Sequence, residues 1–278
     1  MTATYFYHAN CTDGFTAAWA AWRTDPTGTF TPVHYGQTLP EPSTRLVYFL
    51  DFCPPRETLN DLSARHSVCV LDHHLTAQAA LRGWEGGTQV FDMERSGAGI
   101  AWDWFHDVNR RPPLITYVED RDLWRFKLQY SREINAYIGS WPYDFSRWSS
   151  IDTWLRTAFR DCRKEGAAIL RAEAKMTAMI CDQSTRAYVG GHLVPVVNAT
   201  SLWSEVGNEL LRRFPDAPFV ASYGDHNSGN RVWSLRSRKE DTFDVSAIAS
   251  MYGGGGHRNA AGFRTKRPTI IDDGKVNT

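Results

Sequence analysis

The chain has 278 residues, 42% hydrophobic and 22% charged, which excludes a disordered polymer and leaves room for about two domains. Its formal net charge of +0 argues against a protein that tracks a long nucleic acid through a basic field, and it leaves small anionic ligands open. No apolar run approaches membrane-spanning length and no basic-then-apolar leader opens the chain, so a cytoplasmic protein without a membrane partner is expected.

In chain order, "TYFY" (Thr4–Tyr7) reads as a short strand. "DGFTAAWAAW" then sets Phe15, Ala18, Trp19 and Trp22 on one helical face. "RLVYFL" (Arg45–Leu50) is continuously apolar, as buried parallel strands are, and "SVCVL" (Ser67–Leu71) and "TQVF" (Thr88–Phe91) follow. Ser96 is placed to cap the helix that begins in "SGAGIAWDWFHDV". The tryptophans of these helical segments, Trp19, Trp22, Trp102, Trp104 and Trp154, are expected in packed interiors.

From 146 to 185 the pattern is mostly helical and is read as a linker. A second alternation starts with a strand pair around Gly190-Gly191. It continues through a helix in "LWSEVGNELLRRF" and strands in "FVASYG" and "RVWSLRS" to "GGGGHRNAAGF". The expected class is α/β: a parallel-sheet domain (1–145), a helical linker (146–185), a smaller α/β domain (186–266) and a polar tail (267–278).

The five cysteines, Cys11, Cys53, Cys69, Cys162 and Cys181, are scattered without a C-x-x-C pair. This points to a reduced protein with no disulfide frame and no structural zinc site. No thiol-activating arrangement surrounds Cys11 or Cys53.

Acidic and imidazole residues recur at strand ends. His8 follows the first strand, with Asp13 five residues on. Asp51 follows the second, and Asp72, His73 and His74 follow "SVCVL". Asp120 and Asp122 stand in "YVEDRDLW". A lone aspartate after a strand is usually a helix cap or a turn residue. Parallel strands lie about 4.8 Å apart, however, so several such ends can converge on one spot. Carboxylates gathered there need a cation between them, and a pair of divalent metals would also clamp a phosphoryl group.

"VLDHH", with the upstream "H-x4-DG" and "LD" elements, resembles the DHH phosphoesterase superfamily. That superfamily includes RecJ-type exonucleases, nanoRNases, cyclic-dinucleotide phosphodiesterases and family II pyrophosphatases. "GGGGHRNAAGF" and "SLRS" (Ser234–Ser237) resemble signatures of its DHH-associated domain. The resemblance implies that His8, Asp13, Asp51, His73 and either Asp120 or Asp122 hold metal, with Asp120 the better match. It implies that Asp51 bridges two metals, that Asp72 supports His73, and that His74 faces the substrate phosphate. In the second domain it implies substrate contacts from Arg236, Gly254, Gly255, Gly256 and His257.

The implied cofactor is Mn2+, one or two ions, with Mg2+ or Co2+ as alternatives. The first motif departs from the family pattern, which commonly carries D-x-D: here "HANCTDG" supplies only Asp13, with Asn10 as a weaker oxygen donor. The expected activity is hydrolysis of phosphate esters in short oligonucleotides or small nucleotides. A homodimer is left open. A RecJ-type exonuclease with Trp233 and Tyr252 as stacking platforms, a cyclic-dinucleotide phosphodiesterase, a pyrophosphatase-like enzyme and a non-catalytic nucleotide sensor stay open as alternatives.

Overall fold

The computed structural model describes residues 2–226, 229–240 and 243–267, with the backbone of Ile271–Asp272 and Lys275–Val276. The chain divides into two units, Met1–Arg171 and Ala172–Thr278. The first unit runs β1 (Thr4–His8), α1 (Thr12–Trp22), β2 (Thr29–Val33), β3 (Leu46–Leu50), α2 (Arg56–Ser63), β4 (Ser67–Asp72) and α3 (Leu75–Ala80). It continues with β5 (Thr88–Phe91), α4 (Gly97–Phe105), α5 (Pro113–Asp122), α6 (Ser131–Gly139) and α7 (Phe145–Thr157), and enters α8 (Phe159–Cys181).

Its sheet is parallel throughout, in the order β2-β1-β3-β4-β5. β2 escapes a sequence reading because "TFTPV" is short, interrupted by two threonines, and contains Pro32, which only an edge strand tolerates. The strand order reverses between β1 and β3, and in such sheets ligands bind outside the carboxyl ends at that switch point.

Two cores cover the faces of the sheet. One gathers Phe6, Phe49, Leu59 and Trp84 on the α2 side. The other gathers α1, α4, α5, α6 and α7 around Trp19, Ile100, Leu114 and Trp148. The alanines of α1, Ala17, Ala18, Ala20 and Ala21, are fully buried and allow close approach of α4. Trp19 is buried as expected, whereas Trp104 is 43% exposed because it lies on the outer side of α4.

The expected linker at 146–185 is helical but is not separate from the first domain. Trp148 donates its indole N–H to Thr16 and Trp19 donates to Ser149, both at 3.0 Å, so α7 is bolted to α1. The division between units falls within α8 instead. Among the described residues no helix is long and apolar enough to cross a membrane.

The second unit comprises β6 (Thr185–Val189), β7 (His192–Asn198), α9 (Trp203–Arg213), β8 (Val220–Asp225), β9 (Asn230–Arg236), α10 (Val245–Met251), β10 (Gly255–His257) and β11 (Ala260–Lys266). Its sheet order is β10-β11-β9-β8-β7-β6, with β7 and β8 parallel and the other pairs antiparallel. Gly190 and Gly191, at φ 56° and 84°, form the two-residue turn that joins β6 to β7. Within the expected tail, β12 (Ile271–Asp272) pairs with β13 (Lys275–Val276). The rest of 268–278 lies outside the described residues.

Candidate metal centre

The carboxyl ends of three adjacent strands carry the cluster. His8 is the last residue of β1, Asp51 follows β3, and Asp72 ends β4 with His73 and His74 behind it. Asp13 comes from the first turn of α1 and Asp122 from the last turn of α5. His73 Nε2 is the hub: it lies 3.2 Å from Asp51 Oδ1, 3.5 Å from Asp122 Oδ2 and 3.7 Å from Asp13 Oδ2. On its other oxygen, Asp51 Oδ2 lies 3.5 Å from His8 Nδ1 and 3.6 Å from the Cys11 sulfur. Ligand atoms of Asp13, His73 and Asp122 lie within 4.8 Å of one another, as do those of His8, Cys11 and Asp51.

Asp51 is buried and adopts a left-handed backbone, φ 53°, while its N–H still bonds Leu71 O at 2.9 Å. This turns its carboxylate off the sheet edge into the cluster. Asp13 does double duty: Gly97 and Ala98 donate their N–H groups to it at 2.6 and 3.0 Å. The N-terminus of α4 is thereby drawn against the site, and Ser96 caps the same helix by accepting from Gly99. Gly97 is required there, because a Cβ would sit 2.5 Å from Asp51 Cβ.

The geometry reassigns one expected role and extends another. Asp120 faces away from the cluster: its carboxylate accepts the Lys127 and Leu128 N–H groups at 3.0 and 3.3 Å and braces the loop after α5. Asp122 is the residue that reaches His73. Asp72 holds the ring of His74, its Oδ1 lying 2.7 Å from His74 Nδ1, and supports His73 through the backbone. The same oxygen accepts the His73 and His74 backbone N–H groups at 2.7 and 3.3 Å.

Asn10 has a left-handed backbone and is exposed. Cys11, half-buried at the N-cap of α1, is the donor that residue-type reasoning missed. Its signal was available: with Asp13 as the second member of a D-x-D pair, position 11 is the first. Tyr35 was also missed. Its ring meets His8 edge-on at 5.6 Å, and its loop carries no motif.

Burial pushes the Asp13 carboxyl well above the usual carboxylate range, and Asp122 and Asp51 push it further. Asp122 is raised by burial and by Asp51. Burial acts the same way on Asp51, but the neighbouring imidazoles of His73 and His8 outweigh it and hold that carboxyl well below the usual range. Burial would lower His73, yet Asp51, Asp122 and Asp13 raise it to about 11. His74 is likewise raised, with Asp72 overcoming burial. Without a cation, protons therefore carry the charge balance of the cluster.

The donor set suits a divalent metal. Asp51 Oδ1 and His8 Nδ1 are buried and make no hydrogen bond among the described residues. Mixed carboxylate and imidazole donors with open lone pairs are what such a cation takes.

In the second unit the glycine-rich element is a strand hairpin rather than an open loop. A Cβ on Gly254 would lie 2.1 Å from Gly262 O, and one on Gly256 would lie 2.6 Å from Ala260 O. Gly255 and His257 pair with Gly262 and Ala260. Arg236 donates to Ser204 Oγ at 2.8 Å. The basic cluster around it is partly structural: Arg231 pairs with Asp225 at 2.7 Å, and Arg238 donates to the Leu211, Phe214 and Ala217 carbonyls. Trp233 stacks on Phe263 inside the sheet packing, and Tyr252 stacks on the same ring at 4.4 Å.

Solved structures share this architecture. The DHH domain of a member of a ribosomal-protein family superposes with a TM-score of 0.58 at 14% identity, over 96% of this chain and 83% of that one. RecJ from Thermus thermophilus, in complex with Mn2+, superposes with a TM-score of 0.52 at 16% identity, over 95% of this chain and 50% of that one. The fold is that of the DHH superfamily.

In sequence, the chain is 39% identical over 80 residues to oligoribonuclease NrnB of Bacillus subtilis, 29% of this chain and 19% of NrnB. It is 28% identical over 281 residues to an uncharacterised protein of Acanthamoeba polyphaga mimivirus, 92% of this chain and 66% of that protein. The chain thus spans less than two thirds of either relative. No protein-family model matches it.

Proposed function

We propose that the chain is a metal-dependent phosphoesterase acting on short oligonucleotides or small nucleotides. The observation that carries this is Asp51: one buried carboxylate whose two oxygens face two ligand groups, His73 with Asp13 and Asp122 on one side, His8 and Cys11 on the other. Divalent cations held by these residues would neutralise the crowded carboxylates and polarise a phosphoryl oxygen.

The chain's own contribution is orientation and proton placement. Asp72 accepts from His74 Nδ1–H and so fixes the ring, leaving Nε2 as the atom that can donate to a phosphate oxygen. Asp72 beside it raises His74 above the ordinary imidazole value, which favours a proton on that ring where charge would develop on phosphorus-bound oxygens. The helix α4, tied to Asp13, holds the cluster in register.

Short RNA as substrate is supported by the stretch shared with oligoribonuclease NrnB, and manganese by the Mn2+ in the RecJ complex. Arg236, Gly254, Gly255, Gly256 and His257 are the second unit's candidates for nucleotide contacts.

The test is a manganese-supplemented screen of metal-stripped protein on short RNA, short DNA, a bisphosphorylated nucleotide, cyclic dinucleotides and pyrophosphate. Cleavage of a nucleotide phosphoester is expected, with Asp51→Asn inactive and still folded. Full turnover by Asp51→Asn would refute the site. Tight nucleotide binding without turnover in the wild type would favour a sensor.

A further inference from the structure

The two sides of Asp51 differ in chemistry. Asp13, His73 and Asp122 offer oxygen and nitrogen, whereas His8, Cys11 and Asp51 offer nitrogen, sulfur and oxygen. We propose that the Cys11 thiolate is a metal ligand, which gives the His8–Cys11–Asp51 side a preference for Zn2+ or Co2+ over Mn2+ or Mg2+. The proposal rests on the phosphoesterase reading and deepens it.

Three observations place the sulfur at a ligand position. It lies 3.6 Å from Asp51 Oδ2, and His8 Nδ1 lies 3.5 Å from the same oxygen, so the three donors surround one point. Asp51 is 1% exposed, and the buried His8 Nδ1 that faces its Oδ2 makes no hydrogen bond among the described residues. Cys11 also caps α1 through its backbone alone, with no side-chain hydrogen bond to the helix, so helix capping does not account for the thiol.

The chemistry follows from the donors. Thiolate is a soft ligand that selects zinc-like ions, and carboxylate and carbonyl oxygens suit manganese and magnesium. As the metal–sulfur bond forms, the S–H proton leaves to solvent, one proton per site, with no change of oxidation state. One pocket would then hold two cations of different character, the harder ion at Asp13, His73 and Asp122.

The experiment is cobalt titration of the metal-stripped full-length chain, followed by absorption. A cobalt–thiolate bond gives near-ultraviolet charge transfer, and bound cobalt of any ligation gives visible ligand-field bands. The wild type is expected to show both. Cys11→Ser should keep the visible bands and lose the charge transfer. Its zinc affinity should fall about tenfold or more, since even groups behind the ligands are worth roughly 10–100-fold. Cys11→Asp, which restores a carboxylate, should lose the charge transfer and gain manganese affinity.

Visible bands without charge transfer in the wild type would overturn the thiolate and leave the metal site standing. Charge transfer that persists in Cys11→Ser would also overturn it, by assigning the bond to another cysteine. No cobalt bands at all in the wild type would remove the metal site and the thiolate together.

Discussion

Gly97→Ala places a methyl group between the first turn of α4 and the residue at the centre of the site. Its Cβ would lie 2.5 Å from Asp51 Cβ and 2.9 Å from Asp13 Oδ2. Neither neighbour can swing away: Asp51 Cβ is fixed by a left-handed backbone, and Asp13 is bound to the α4 N-terminus itself. The helix end must retreat by about 1 Å to reach ordinary contact.

Overpacking costs about 1–3 kcal/mol and a weakened cap about 1 kcal/mol, so the unit should lose about 2–4 kcal/mol. For the 171 residues of Met1–Arg171 this is a drop in Tm of about 5–15 °C. The same shift misplaces the ligands, and a 1 Å error costs about a hundredfold in rate. Calorimetry and metal-dependent turnover read both effects. Gly139→Ala, where a Cβ meets nothing within 4 Å, is the control and should be neutral within about 0.5 kcal/mol. If Gly97→Ala melts and turns over like the wild type, the tight contact between α4 and Asp51 is not real.

Asp122→Asn should weaken metal binding about tenfold or more while leaving stability near wild type. Asp120→Asn should instead cost about 1–2 kcal/mol by denaturant unfolding and keep metal binding, because its oxygens serve the Lys127 and Leu128 N–H groups. The opposite pattern would restore Asp120 as the ligand. Metal uptake should depend on pH. His73, raised to about 11, is protonated in the metal-free protein and must be neutral to bind, so affinity should rise with pH by about one log unit per pH unit for each proton released. The imidazolium's own contribution is full below about pH 6.5 and is lost as pH rises toward 11, so the metal-free Tm should fall across that window. Calorimetry in buffers of different ionisation enthalpy counts the proton, and a flat affinity profile would contradict the raised His73. Asp72→Asn should lower kcat about 10–100-fold with metal affinity falling less, since it frees the His74 ring while touching His73 through its backbone N–H alone.

Much of the site was legible because strand-end residues in a parallel sheet have a fixed address. Once β1, β3 and β4 were read as buried strands, His8, Asp51 and His73 had to emerge on one edge. The choice between Asp120 and Asp122 was not legible. Two residues apart on one helix they point roughly 200° apart, and only the packing of Leu114, Ile115 and Val118 decides which faces the cluster. Cys11 was passed over because thiols were weighed as nucleophiles or disulfides, not as a substituent in a spaced carboxylate pair. The membership of α7 in the first domain rests on two indole–hydroxyl bonds more than a hundred residues apart in sequence, which no local pattern records.

The left-handed backbone at Asp51 has a practical consequence. An L side chain in that conformation costs about 1–2 kcal/mol, and glycine would relieve it. Glycine would also take away the carboxylate that pairs with the His73 imidazolium, so at position 51 the strain relieved and the ion pair lost oppose each other. Anyone engineering this scaffold should screen for turnover and melting together.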